Sequence, residues 1–352
     1  MSVEVSWFSA LCDDDYEFLG VEDLTLKSSW EHCSDIVLTA DRNGFDNVLL
    51  PSGYTLGIDS TAFAAGIATH VQQIQLLLAV RMGEMWLPQL ARQLATIDQM
   101  VGGRLTINII SSDIPGEALE SAPRYQRTVE WMQVLRQLLD GESIDFHGEF
   151  VDLELDPPRA RTVSGTCPPF YFGGFSPAAK DTAARAADVF LTWPDKVSSV
   201  RETVNEMTAL AAGYDREMKY GLRSHVIVRE TEAEARAAAD RLISQLDADT
   251  GEAIRQRSLD TASVGVARQS ALREAADDAG YAEPHLWTGV GRARSGAGAA
   301  IVGDPDQVAD KIQQYIDVGI EAFILSGYPH IAECDLFAEL VLPRLDHGPL
   351  KR

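Results

Sequence analysis

The strongest constraint in this 352-residue chain is a repeated beat: a short apolar run, a polar or glycine-bearing stop, then a helical stretch. The runs fall at 3–8, 46–51, 74–80, 104–110, 168–174, 189–192, 220–228 and 322–325, and most are continuously apolar rather than alternating. Continuous runs mark parallel strands covered on both faces. The stops obey helix chemistry. Gly102-Gly103 follows a helical stretch at 87–100, where a C-terminal stop belongs, and Ser176-Pro177 opens the next-but-one helix as N-cap and first residue. Eight strands, each followed by a helix, predict an α/β fold of the (β/α)8 TIM-barrel type. The expectation is one catalytic domain over 1–352, with insertions at about 112–167 and 247–300. A doubly wound sheet fits less well, because no GxGxxG opens a helix after the first strand. Residues 146–151 read as a small hairpin, and Val302-Gly303-Asp304-Pro305 as a loop ahead of a capped helix.

Composition narrows the function classes. A formal net charge of −23 argues against nucleic acid or an anionic membrane as partner, since both need basic patches. Cys12, Cys33, Cys167 and Cys334 are widely spaced with no CxxC pair, which predicts free thiols in a reducing cytoplasm. The first residues lack a basic stretch followed by an apolar core, and no apolar run approaches membrane-spanning length. His330, Glu333 and Cys334 are too few for a metal site, so no metal is expected.

A barrel of this kind carries its chemistry at the C-terminal ends of the strands. Those ends hold Trp7, Pro51, Arg81, Asn108, Gly173-Gly174, Trp193, His225 and Ser326-Gly327-Tyr328. Arg223 and His225 are two apart, so a strand points both the same way, and a polar pair inside a barrel is costly unless it is satisfied or meets a ligand. Gly173-Gly174-Phe175-Ser176 before a helix reads either as a phosphate cradle or as a capped turn. The 247–300 insertion is long for an inert connection. Its glycines beside Arg292 and Arg294 suit a lid that brings positive charge onto an anion, and equally a solvated surface loop.

Taken in order along nearly the whole chain, several stretches resemble the bacterial-luciferase-like flavin-dependent monooxygenases, most closely their alkanesulfonate monooxygenase branch. They are Arg92-Gln-x-Ala-Thr-Ile-Asp98 with Gly103-Arg104, Arg124-Tyr125, Tyr171-Phe-Gly-Gly174, Leu191-Thr-Trp193, and 223–231. Leu286-Trp-Thr-Gly-Val-Gly291, Arg294-Ser-Gly-Ala-Gly298 and Leu325-Ser-Gly-Tyr-Pro-His330 complete the set. The resemblance implies reduced FMN delivered by a separate NAD(P)H-dependent reductase, O2 as co-substrate, and cleavage of a carbon–sulfur bond to give an aldehyde and sulfite. It places Tyr125, Ser176 and Gly174 at the FMN phosphate and Asn108 at the isoalloxazine. Trp193, Arg223, His225 and Tyr328 fall at substrate and catalytic positions, and Arg294 on a mobile lid. It also implies a homo-oligomer, a dimer or tetramer.

One departure bears on the substrate. Alkanesulfonate enzymes carry a cysteine in the loop after the second strand, whereas here that loop reads Pro51-Ser-Gly-Tyr-Thr-Leu-Gly-Ile-Asp59-Ser60. Tyr54, Thr55 and Asp59 are then available to a hydroxylated substrate, which favours a polar organosulfonate, such as the sulfosugar sulfoquinovose, over a long alkanesulfonate. The alternatives are another oxidation on the same fold (of a sulfone, alkane or aldehyde), an F420-dependent hydride transfer, or a non-catalytic flavin-binding barrel.

Overall fold

The structure, a computed structural model, describes residues 2–55, 57–117, 119–256 and 263–350. The predicted beat is realised. The barrel wall consists of β1 (Glu4–Phe8), β2 (Asn47–Leu50), β3 (Gln75–Arg81), β4 (Leu105–Ile110), β7 (Phe170–Gly173), β8 (Val189–Thr192), β9 (Lys219–Val228) and β13 (Ala322–Ser326). Each pairs in parallel with the next, and β13 returns to β1, closing an eight-strand barrel. Helices cover the outside, among them α1 (Trp30–Arg42), α3 (Leu87–Met100), α4 (Ser121–Asp140), α5 (Pro177–Ala186), α10 (Pro305–Ile316) and α11 (His330–Leu340). Asp304 and Gln307 form a reciprocal capping box at the start of α10. Among the described residues no helix is long and apolar enough to cross a membrane.

The two-residue strand period separates two cores. Phe8, Leu49, Leu77, Tyr171, Val189 and Ile324 pack together inside the barrel. Val5, Trp7, Phe45, Val48, Leu76 and Phe337 belong to the layer between strands and helices. Trp7 was a strand-end candidate, but the alternation turns it outward: its ring packs 5.2 Å from Phe45, and Nε1 donates to the His330 carbonyl at 3.2 Å. Phe8 takes the inward position instead. At the barrel floor Tyr171 donates to the Glu4 carboxyl at 3.0 Å, and burial pushes that carboxyl up from its ordinary range.

The insertions are folded. The first contains α4 and a hairpin of β5 (Ile144–His147) and β6 (Asp152–Leu155), so the expected hairpin is present with its strands flanking 148–151. The second follows β9 and α7 (Glu232–Leu242), and contains α8 (Ala248–Arg255), α9 (Val264–Glu274), β10 (Tyr281–Glu283) and β11 (Leu286–Trp287). Residues 257–262 of this expected insertion lie outside the described residues. Val302-Gly303 is not loop. β12 (Ala300–Gly303) pairs in parallel with the outer half of β9, Ala300 opposite His225, beyond the point where β8 ends opposite Leu222. The long β9 offers backbone groups there that its barrel neighbour is too short to satisfy, and β12 takes them up.

Trp7→Ala is expected to lower the unfolding free energy by about 3–5 kcal/mol, read from urea unfolding curves, because it empties a packed site and frees the His330 carbonyl.

Candidate active site

Two connected chambers open at the C-terminal ends of the strands. The larger has a volume of about 550 Å³ and reaches from Phe8, Arg223 and His225 to Tyr125 and Ser176. The smaller, about 300 Å³, is lined by the β2 loop Ser52–Thr55, Arg81 and residues of the second insertion, chiefly Ala293–Gly296 near its end. Cys12, Ser112, Trp193, Arg294 and Gly296 line both.

The polar heart comes from β9 and β13. Their register puts Ser326 opposite His225, and strand alternation aims Arg223 and His225 to one side. Arg223 donates to Ser326 Oγ at 2.8 Å and to the Ser224 carbonyl at 2.5 Å, with its guanidinium 4.4 Å over the Phe8 ring. Ser326 Oγ also meets His225 Nδ1 at 2.8 Å, and the His225 ring stacks on Tyr328 at 5.3 Å. Burial pushes Arg223 down to about 10, which leaves it charged at neutral pH. Burial, then the positive charges of Arg223 and Arg294, hold His225 well below the usual imidazole range. His225 is therefore neutral, not poised at neutrality as its residue type alone suggested. Tyr328 is pushed up to about 12 by burial against the pull of Arg294, so its hydroxyl keeps its proton and can donate.

Arg294 follows the short 3-10 turn Gly289–Arg292 and is ion-paired to Asp13 in the loop after β1. Burial works against its charge, yet Tyr328 and Asp13 outweigh that and hold it above its usual range. With Tyr328 protonated at neutral pH, Asp13 is the partner that matters. Arg292 is exposed and reaches toward the Leu246 carbonyl, so of the two arginines singled out in this insertion only Arg294 lines the chambers. The second insertion is tied over the mouth: Gln269 donates to the Pro194 carbonyl at 2.8 Å and accepts from Gly298 N at 3.0 Å. Gly265 lies so close to Trp193 that a Cβ there would meet its ring at 2.6 Å, which presses the α9 backbone onto the indole.

The β1 loop is the part of the site that sequence reasoning missed. Asp15, fully buried, accepts from His330 N at 2.9 Å and meets His330 Nδ1 at 2.7 Å and His32 Nε2 at 3.0 Å. Burial opposes ionisation of Asp15, but His330 and His32 together hold its carboxyl well below the usual range. His330 in turn touches the edge of Tyr328, ring centres 5.0 Å apart. The available signal was the acidic run Asp13-Asp14-Asp15 a few residues after an apolar strand, which reads as a solvated turn unless the partners across the barrel are known.

At the far end of the larger chamber lie Asn108, Tyr125, Gly174 and Ser176. Ser176 caps α5 by accepting from Ala179 N at 3.1 Å, as the capped-turn reading expected, and it also lines the chamber. A Cβ on Gly174 would strike Ala179 Cβ at 2.6 Å, so the backbone there stays bare to the chamber. Arg124, part of the Arg124-Tyr125 pair but given no role from sequence, also lines this end, and its Nε is buried without a partner among the described residues. Trp193 lines both chambers, packed on Phe175 at 5.9 Å. Tyr54 and Thr55 line the smaller chamber, whereas Asp59 does not face it: its carboxylate caps α2 (Ser60–Ile67) through Ala62 N. Arg81 donates to Ser112 Oγ at 2.8 Å and pairs with Glu84, consistent with a wall residue. All four cysteines are free, and among the described residues no group of three or more His, Cys, Asp or Glu could hold a metal.

Asp15→Asn is expected to cost about 3 kcal/mol of stability at neutral pH, since it strips a buried, multiply bonded carboxylate of its charge. The depressed folded pKa gives wild type a contribution that is present above the unfolded carboxylate value of about 3.9 and fades as pH falls below it. The variant should lack that acid-side slope, measured by thermal unfolding between neutral and acid pH.

Comparison with known proteins agrees with this geometry. The sequence model of the luciferase-like monooxygenase family matches residues 18–322. A sulfoquinovose monooxygenase from Novosphingobium aromaticivorans is 61% identical over 99% of this chain and 98% of its own length. A second, from Agrobacterium fabrum, is 49% identical over 98% of this chain and 90% of its own. Among solved structures, a riboflavin lyase with modified FMN superimposes with a TM-score of 0.77 at 15% identity, covering 98% of this chain and 91% of the other. The chain belongs to the luciferase-like monooxygenase family and is an enzyme of that kind.

Proposed function

We propose that this protein is a two-component, reduced-FMN- and O2-dependent monooxygenase that desulfonates a polar organosulfonate, of which sulfoquinovose is the leading candidate, to an aldehyde and sulfite. The observation that carries the reading is Arg223, a buried guanidinium in the chamber wall with no carboxylate partner among the described residues. A permanent monoanion at Arg223 and Arg294 satisfies both through charge-assisted hydrogen bonds, strongest where water is excluded. The relatives at 61% and 49% identity carry the sulfoquinovose name, and Ser52, Tyr54 and Thr55 line the smaller chamber with groups that suit a sugar's hydroxyls.

The far end of the larger chamber fits FMN. Arg124, Tyr125, Ser176 and the bare Gly174 backbone suit its phosphate, and Asn108 its ring system. When bound, reduced flavin from a separate reductase supplies the activation of O2. The chain's own residues orient and dry the site. Arg223 and Arg294 hold the sulfonate, Trp193 forms an apolar wall, and 293–297 closes over the mouth. Tyr328 donates a hydrogen bond. His225, met at Nδ1 by Ser326 Oγ and bonded to the Ala297 backbone, is a neutral imidazole placed to accept the proton released as the carbon–sulfur bond breaks. The described chain serves this site as one catalytic unit, because its residues come from both ends and from the second insertion.

Three outcomes are expected. Arg223→Ala and Arg294→Ala should each lower kcat/KM for sulfite release roughly a hundredfold with supplied reduced FMN, and unchanged turnover in both sinks the sulfonate reading. Sulfoquinovose should outperform octanesulfonate in the same assay; the reverse removes the preference for a polar substrate. Because a bound anion offsets the two arginines that, after burial, depress His225, sulfonate binding should raise the imidazole pKa and draw in protons as pH falls. Calorimetry in buffers of differing ionisation enthalpy reads that uptake.

A further inference from the structure

We propose that Asp13 is a charge selector that admits a monoanionic sulfonate and rejects the dianionic phosphate ester of the same sugar. The inference rests on the sulfonate reading above and concerns how that site tells its substrate from a near-isosteric competitor.

The arginines at the two chambers are not equivalent. Arg81 is matched by Glu84, Arg124 by Asp113 and Arg294 by Asp13. Arg223 has no carboxylate among the described residues, only Ser326 Oγ, the Ser224 carbonyl and the Phe8 face. His225 is neutral, and Tyr328 and Cys12 keep their protons because burial raises both. Among the groups that line the substrate end, two guanidinium groups face the ligand and one carboxylate matches one of them, which leaves one unit of positive charge in excess; Asp15 lines neither chamber and is bonded to His330 and His32. A sulfonate, which bears a single charge at all ordinary pH, neutralises that excess. A sugar phosphate bears close to two charges at neutral pH, since its second pKa lies near 6, and would leave one buried negative charge uncompensated.

Asp13 is built into this position. Its Oδ1 accepts from Asp14 N at 2.9 Å and lies 3.5 Å from the Tyr16 hydroxyl, while Oδ2 takes Arg294. The Asp13 and Arg294 side chains are 13% and 18% exposed, so water screens their charges little. A carboxylate held this way stays beside Arg294 when a ligand enters. Its role is to set the charge of the site rather than to touch the reacting atoms.

The test uses the full chain with oxidised FMN present, and calorimetric titration with sulfoquinovose and with glucose 6-phosphate at pH 7.5. Wild type should favour the sulfonate. In Asp13→Asn the excess rises to two units, and the ratio of phosphate to sulfonate affinity should increase roughly tenfold or more. A parallel loss of both ligands, or an unchanged ratio, shows that Asp13 only positions Arg294 and overturns the proposal.

A measurement on wild type guards against a variant that fails to fold. Between pH 7.5 and 5.5 glucose 6-phosphate takes up its second proton, and its affinity relative to sulfoquinovose should rise roughly tenfold. The groups facing the bound anion are Cys12, Asp13, Tyr16, Arg223, His225, Arg294 and Tyr328, with Asp15 and His330 behind Tyr328. Because His225 can answer a second ligand charge by taking a proton, the ratio is also measured in His225→Gln, where the rise should persist. A flat ratio overturns the proposal. If wild type binds glucose 6-phosphate but shows no saturable binding of sulfoquinovose, the sulfonate reading itself fails, and the selector with it.

Discussion

Arg223 is a positive charge taken out of water at the mouth of a closed barrel, and the arrangement around it follows from the cost of keeping it there. A guanidinium can be held in such a place only if its donors are used and its face is covered. Ser326 and the Ser224 carbonyl take donors, and Phe8 covers one face. None of these cancels the charge. Burial first, and then this residual field, keep His225 neutral, and the field leaves room for an anion as the missing counter-charge. The β9–β13 register that sets Ser326 opposite His225 is what makes one hydroxyl serve both side chains.

The second element of the design is that acidic groups from the first strand's loop hold pieces contributed by the far end of the chain. Asp13 meets Arg294 and Asp15 meets His330, about 280 and 315 positions away. Barrel closure is the reason this works, because β1 and β13 are neighbours in space. The long insertion is likewise secured by polar ties rather than by a deep core of its own: Gln269 bridges Pro194 and Gly298, and Arg268 reaches Asp195 across the Phe175 ring. Ties of that kind are confined to the rim, where a covering segment must be held without filling the chamber beneath it.

Much of this was legible in the chain. Continuous apolar runs and well-formed stops such as Gly102-Gly103 and Ser176-Pro177 foretold the parallel barrel, since burial on both faces and capping are local demands. The two-residue spacing of Arg223 and His225 foretold their shared direction. Trp7 was misjudged because strand-end position says nothing about which face a residue takes; the period needs one anchored neighbour, and Phe8 is that neighbour only once the barrel is drawn. Asp59 looked available to substrate and turned out to cap a helix, a role its position just before Ser60 also permitted.

By itself, then, the sequence determined the class of fold, the set of strand ends and the residue types at the mouth, because periodicity, capping and burial act over a few residues. Only the tertiary structure decided which charges meet. That Arg294 is neutralised by Asp13, that Arg223 is not neutralised, that Asp15 gathers two histidines and that Arg124 comes to one end of the chamber are facts of closure, not of spacing. Electrostatic pairing depends on distances of a few ångströms between residues hundreds of positions apart, and no local pattern encodes those distances.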